Sequence, residues 1–249
     1  MKAITVAWFS GGTSSAISTK MMIDEIDHII FQDIEDHHED TMRFVMDCQK
    51  WFGKEIEIQK SPYGSVNNAC KGAAFVRGPH GAACTRLLKI RERQIWEAQN
   101  RFFCNFRYIW GMDANETTRA DRIRYESMPD EEHIFPLLEN GIDKPEAHAI
   151  LARAGIKRHA MYDMGYPNAN CRVCTKGGMG YMNKCRVDFP DWFWARARME
   201  REVGASCING VFLDELDPDR GRDCEIILPE CGMMCEILDS PASPTLGGK

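Results

Sequence analysis

The chain opens on an unbroken apolar, β-prone run, Ala3 to Phe9, that stops at Ser10-Gly11-Gly12. A run of this length bounded by turn residues predicts a strand buried on both faces. Residues 14–24 then carry a helical pattern, with Ile17, Met21 and Met22 expected to face the sheet. A second buried strand is expected over residues 27–32, ending at Asp33. Residues 39–52 place Met42, Val45, Met46 and Phe52 at helical spacing. Residues 55–59 alternate as a half-exposed strand does. From Pro62 to Ala83 turn residues crowd the chain and predict a long loop. Residues 85–99 read as a helix, 106–110 as a strand ending at Gly111, 144–155 as a short helix and 190–203 as another. Strands alternating with helices predict an α/β fold, a parallel twisted sheet with helices on both faces. Ligands of such sheets bind at the carboxyl ends of the strands. The Ser10 loop, Asp33 and the Gly111 loop are therefore expected to face one crevice.

Composition changes this picture little. The 249 residues are 44% hydrophobic and 27% charged, enough for a full core in an ordinary globular chain. No apolar run approaches a membrane span and the N-terminus lacks a signal-peptide pattern, so a cytosolic setting with no membrane is expected. The net charge of -6 leaves no global basic footprint for nucleic acid. Local basic clusters, Arg86 with Lys89, Arg91 and Arg93, and Arg119 with Arg122 and Arg124, suit either phosphates or a solvated helix face. The 11 cysteines matter more. In a reducing compartment, metal ligation or thiol chemistry outranks disulfides. Cys48 and Cys104 lie in apolar contexts and read as buried packing.

Five segments are candidates for chemistry. The turn Ser10-Gly11-Gly12-Thr13-Ser14-Ser15 between a strand and a helix makes an anion site. Its glycines admit close approach, and the first helical N–H groups have no internal partner. It matches neither Walker A nor Gly-x-Gly-x-x-Gly. Cys171-Arg-Val-Cys174, in a Gly-rich stretch, brings two thiolates to one point and admits an iron–sulfur cluster, a structural zinc or a redox dithiol. Beside Cys84, Arg86 and Lys89 stand three apart on an expected helix face, so both can point at one anion. His37 and His38 follow Asp33 and Glu35 in what reads as a solvated acidic loop, with Mg2+ held through nucleotide phosphates as the alternative. The tail carries Glu230-Cys231-Gly232-Met-Met-Cys235, whose thiols read equally as nucleophile, ligand or bystander.

Taken in order, the motifs from Ser10 to about Thr175 resemble the phosphoadenylyl-sulfate (PAPS) reductase family of the adenine nucleotide alpha-hydrolase, or PP-loop, superfamily. The Ser10–Ser15 turn resembles its pyrophosphate loop, with Ser14 where Asp is usual. Phe31-Gln-Asp33-Ile-Glu35, Gly111-Met-Asp-Ala-Asn-Glu116-Thr-Thr-Arg119, Ile134-Phe-Pro136-Leu137 and Met161-Tyr…Gly-Tyr166…Cys171-Arg-Val-Cys174-Thr resemble further motifs in their family order. The resemblance implies an adenine nucleotide bound by Ser10, Gly11, Gly12, Thr13, Ser14, Ser15, Asp33, Arg86, Lys89, Gly111, Glu116 and Arg119. Cys84, Cys171 and Cys174 would ligate an iron–sulfur cluster of 4Fe-4S type, the fourth ligand being Cys231, Cys235, another thiol or none. The expected organisation is a PP-loop nucleotide-binding domain over 1–165, a Cys-rich extension over 166–239 and a disordered tail over 240–249.

Two activities are implied. In the first, adenylyl sulfate or PAPS is reduced to sulfite, with Cys231 attacking sulfur and Cys235 or a thiol reductant resolving the intermediate. In the second, ATP activates an oxygen of a nucleic acid or small molecule and a thiol or cluster, fed by a sulfur-donor protein, delivers sulfur. A non-catalytic nucleotide or cluster sensor is the third reading.

Overall fold

A computed structural model of the chain describes residues 3–78, 81–100, 105–126 and 131–222. Five parallel strands form the sheet: β1 (Ile4–Phe9), β2 (His28–Asp33), β3 (Glu57–Lys60), β6 (Phe106–Ile109) and β7 (Glu132–Ile134), in the order β3-β2-β1-β6-β7. β4 (Arg77–Gly78) and β5 (Gly81–Ala82) make a separate two-residue antiparallel pair. The sheet reverses direction of growth between β1 and β6, whose registers are Ile4 opposite Phe106 and Ala7 opposite Ile109. Crevices at such a reversal receive ligands.

Alternation along β1 and β2 sorts the two faces. Ala7, Phe9, Ile29 and Phe31 pack with Ile17 of α1 (Thr13–Met21), Phe44 and Cys48 of α2 (Asp40–Phe52) and Leu151 of α8 (Lys144–Arg153). Val6, Trp8 and Ile30 pack on the other face with Trp96 of α5 (Arg91–Asn100) and Ile123 of α6 (Thr117–Glu126). Both faces are thus covered, as an all-parallel sheet requires. The buried face of α1 runs through Thr13 to Thr19, and Met21, expected against the sheet, is 42% exposed.

A third apolar cluster joins the 66–88 region to residues 161–216. It unites Val66, Ala69 and Cys70 of α3 (Val66–Ala73) with Met182 and Cys185 of α10 (Met179–Asp188) and Phe193 and Met199 of α11 (Pro190–Val203). The expected long loop after Pro62 therefore contains a helix. The Ser65 hydroxyl accepts the Asn68 N–H at 3.2 Å and starts it, and Val66, Ala69 and Cys70 give it a buried stripe. At its centre lies a buried ion pair: Arg196 meets Asp36 at 2.5 Å, each 1% exposed. Arg196 also donates to Asn67 and to the Val173 carbonyl, and the other Asp36 oxygen accepts the Val66 N–H at 2.7 Å.

Candidate active site

Beyond β1 the chain turns at Gly11 with φ +78°, in the left-handed region, where a side chain would press on the Phe31 ring. The helix α1 then starts without a side-chain cap. The loop partly satisfies itself: Ser10 N–H donates to Ser15 Oγ at 3.1 Å, and Gly12 N–H leans toward Ser10 Oγ at 3.4 Å. The Thr13 N–H donates to the Tyr162 hydroxyl at 3.2 Å, and Thr13 Oγ1 stands 3.2 Å from His148 Nδ1. A polar hydroxyl thus sits where the helix N-terminus attracts negative charge. Ser14 is fully buried, and its hydroxyl has no hydrogen-bond partner. Gly111, at the end of β6, is pinned by contact: a Cβ there would lie 2.5 Å from Ser15 Cα. Only glycine lets β6 and the start of α1 come so close.

One cleft of about 520 Å3, solvent at its mouth included, gathers Ser10, Lys89, Cys84, Cys171 and Cys174 with the unforeseen His37. Cys84 Sγ lies 3.5 Å from Thr175 Oγ1, which also lines the cleft. α4 (Ala83–Thr85) passes from Cys84 into a widened, π-helical turn over Arg86–Ile90, in which the Arg91 N–H reaches back to the Arg86 carbonyl. In that wider turn residues three apart no longer share a face. Lys89 lines the cleft, whereas Arg86 is exposed and outside it.

The other sequence-predicted groups are engaged elsewhere. Asp33 pairs with Lys60 at 3.1 Å, across the β2–β3 register. Arg119, 9% exposed, pairs with Glu116 at 2.7 Å, and Glu116 also accepts the Asp113 N–H at 3.1 Å. Burial raises the Glu116 pKa against the pull of Arg119. Neither residue lines the cleft. Cys231 and Cys235 lie outside the described residues, as do Cys104 and the predicted tail 240–249.

The described cysteines separate into two groups, none in a disulfide. Cys48, Cys70, Cys185 and Cys207 are buried in apolar clusters, and burial raises the pKa of each, Cys70 to about 12. Such thiols are inert packing groups. Cys84, Cys171 and Cys174 also line the cleft, Cys174 as a buried member of the third apolar cluster and Cys84 and Cys171 packed against it. The Cys171–Cys174 turn is strained: Val173, β-branched and buried, sits at φ +50°. Its conformation is held from outside. Tyr181 Oη accepts the Cys174 N–H at 3.2 Å and donates to the Cys171 carbonyl at 3.3 Å. Arg196 donates to the Val173 carbonyl at 3.3 Å, and Arg172 N–H to the Asp36 carbonyl at 2.8 Å. The Arg172 guanidinium lies 3.8 Å above the Trp192 ring.

Soft thiolates are the donors an iron–sulfur cluster takes, so in donor type the cleft fits one. Among the described residues no three His, Cys, Asp or Glu side chains stand close enough to hold a metal ion. The three thiols share a wall and do not make a complete ligand set on their own. His37 is the residue that sequence reasoning missed. Read as part of a solvated loop, it instead lines the cleft, next to Asp36, which is paired with Arg196 in the interior.

The family model of the phosphoadenosine phosphosulfate reductase domain matches residues 4–177. Among solved structures, the chain is similar to the phosphoadenylyl-sulfate (PAPS) reductase of Candida auris in a phosphate complex. The identity is 16% and the TM-score 0.42, over 66% of this chain and 77% of that one. No curated protein matches the sequence. No helix among the described residues is long and apolar enough to cross a membrane.

Proposed function

Because the chain belongs to the phosphoadenosine phosphosulfate reductase domain family, we propose that it holds an adenine sulfonucleotide, adenylyl sulfate or PAPS, in the cleft and reduces it to sulfite. The observation that carries this reading is the meeting of a cation and thiols at one cleft beside the loop of β1: Lys89 and Ser10 with Cys84, Cys171 and Cys174. The Ser10–Ser15 turn would take a nucleotide phosphate, and Lys89 the anionic sulfonyl end. Cys84, Cys171 and Cys174, completed by a ligand outside the described residues, would hold a 4Fe-4S cluster, which would supply electron-poor iron centres that polarise their surroundings.

Thiol chemistry balances the reaction. The Cys231 thiolate attacks the sulfonyl sulfur, an S–S bond forms, and the S–O bond to the nucleotide breaks, releasing AMP or its 3′-phosphate analogue. A second thiol, that of Cys235 or of a reductant protein, then attacks Cys231 Sγ. Sulfite leaves with the bonding pair and a disulfide remains, so two thiols supply the two electrons that reduce the sulfur.

A second reading rests on the same thiols. Beside the Ser10 loop they suit sulfur delivery to a substrate activated by ATP. The products decide between the two. Anaerobically purified protein is assayed for iron and sulfide, then incubated with a dithiol and adenylyl sulfate, PAPS or ATP. Sulfite release that disappears in Cys231→Ser is the expected result. Pyrophosphate release from ATP without sulfite from either sulfonucleotide would replace the first reading by the second, and absence of iron and sulfide would remove the cluster.

A further inference from the structure

The segment after β2 splits its polar residues between interior and cleft. Asp36 is committed to Arg196 and the Val66 N–H. His37, the next residue, lines the cleft with Ser10 and Lys89. Its backbone N–H is taken by the Ile34 carbonyl at 2.9 Å, and its ring is tilted against Phe31 with centroids 5.4 Å apart. Nδ1 is buried and has no hydrogen-bond partner. With Nδ1 enclosed, Nε2 is the ring nitrogen left for an occupant of the cleft that His37 lines.

That arrangement selects a tautomer. A buried bare acceptor is tolerated better than a buried orphan N–H. The proton therefore belongs on Nε2, where an occupant of the cleft can take it. Burial, with Lys89 and Arg172 nearby, lowers the His37 pKa to about 3, so the ring is neutral near pH 7. Lys89 contributes charge without a fixed direction, since an ammonium is a point cation on a flexible stem. A neutral imidazole locked against Phe31 contributes direction without adding a second positive charge beside Lys89.

We propose that His37 is a substrate-positioning residue whose Nε2–H donates a hydrogen bond to an anionic oxygen of the nucleotide that Lys89 holds in the cleft. The proposal rests on the nucleotide-binding reading above, and the experiment separates the two. Calorimetric titration of wild type, His37→Phe and His37→Gln with adenylyl sulfate and with AMP measures affinity directly. His37→Phe keeps an aromatic ring against Phe31 and removes both nitrogens. It should weaken binding of adenylyl sulfate about tenfold or more, the value of a hydrogen bond to a charged group. His37→Gln restores a neutral N–H donor and should recover most of that loss. In turnover, KM should rise in His37→Phe with kcat changed less than about twofold, since uniform binding is removed. The 15N spectrum of the imidazole should show Nε2 protonated and Nδ1 bare at pH 7. Unchanged affinity in a folded His37→Phe, or a proton on Nδ1, would overturn the proposal while leaving the nucleotide reading intact. A wild-type protein that binds no nucleotide removes both.

Discussion

The two walls of the cleft are built on opposite principles. The loop wall is local: Ser10 to Ser15 are consecutive at the start of α1, and of these Ser10 lines the cleft. The thiol wall is assembled from afar. The turn carrying Cys171 and Cys174 is held by Tyr181 of α10, Arg196 of α11 and Asp36 after β2. Asp36 and Arg196 are 160 positions apart in the chain. Two of those supports, Tyr181 and Arg196, lie beyond the residues 4–177 that match the family. An anion site of the first kind needs a few residues with the right backbone. A strained turn of the second kind exists only while a buried network outweighs its strain. Damage to the first wall should therefore appear as lost affinity, and damage to the second as lost stability and exposed thiols.

Asp36→Ala should break that contrast most strongly. It leaves the Arg196 guanidinium, 1% exposed, with an uncompensated charge, and it orphans the Val66 N–H. Breaking a buried pair in this way costs about 3–5 kcal/mol. Urea unfolding should show the free energy of unfolding lowered by that amount and the midpoint lowered with it, with Cys171 and Cys174 alkylated faster in the native state. A shift below about 1 kcal/mol would mean that the ion pair does not hold the thiol wall.

Gly111→Ala tests the opposite wall. Its Cβ would fall 2.5 Å from Ser15 Cα and 2.6 Å from Ser15 N, backbone atoms that cannot rotate away. The start of α1 must shift from β6, at a cost of about 1–3 kcal/mol. The sharper expectation is functional: nucleotide affinity, measured by calorimetry, should fall at least tenfold while the thiol alkylation rates stay at wild-type values. Faster alkylation in this variant would show the walls to be mechanically coupled.

The same division explains what could be read from the chain. β1, β2, β3 and β6 were legible because apolar runs and alternation are local, and the Ser10 loop was legible because it follows β1 at once. The order of Cys84, Cys171 and Cys174 was legible through family motifs, and all three line the cleft. Helix α3 hid behind Asn67, Asn68 and Gly72, although Ser65 and the Val66-Ala69-Cys70 spacing were its signals. Helix α10 hid behind Gly177, Gly178 and Gly180. The separation of Lys89 from Arg86 could not be read, because one extra residue in a helical turn leaves no compositional trace. His37 could not be assigned to the cleft without knowing that Asp36 turns inward, and that depends on a partner no local rule can find.

The smallest expected effect sharpens the comparison most. Tyr181→Phe removes one oxygen and leaves the buried ring, which packs against Tyr166 with centroids 5.7 Å apart. The loss leaves the Cys174 N–H and the Cys171 carbonyl without that hydroxyl, at about 1–2 kcal/mol, against nearly no change in apolar packing. Val173 is then held in its left-handed conformation by fewer bonds. Strain worth about 1–3 kcal/mol is comparable with what was removed, so the turn should relax while the fold persists. The expected result is a modest fall in the urea midpoint together with a large rise in alkylation of Cys171 and Cys174, and AMP affinity unchanged. If alkylation stays at the wild-type rate while stability falls, the hydroxyl serves the core alone. The strained turn would then be held by Arg196 and the Asp36 carbonyl without it.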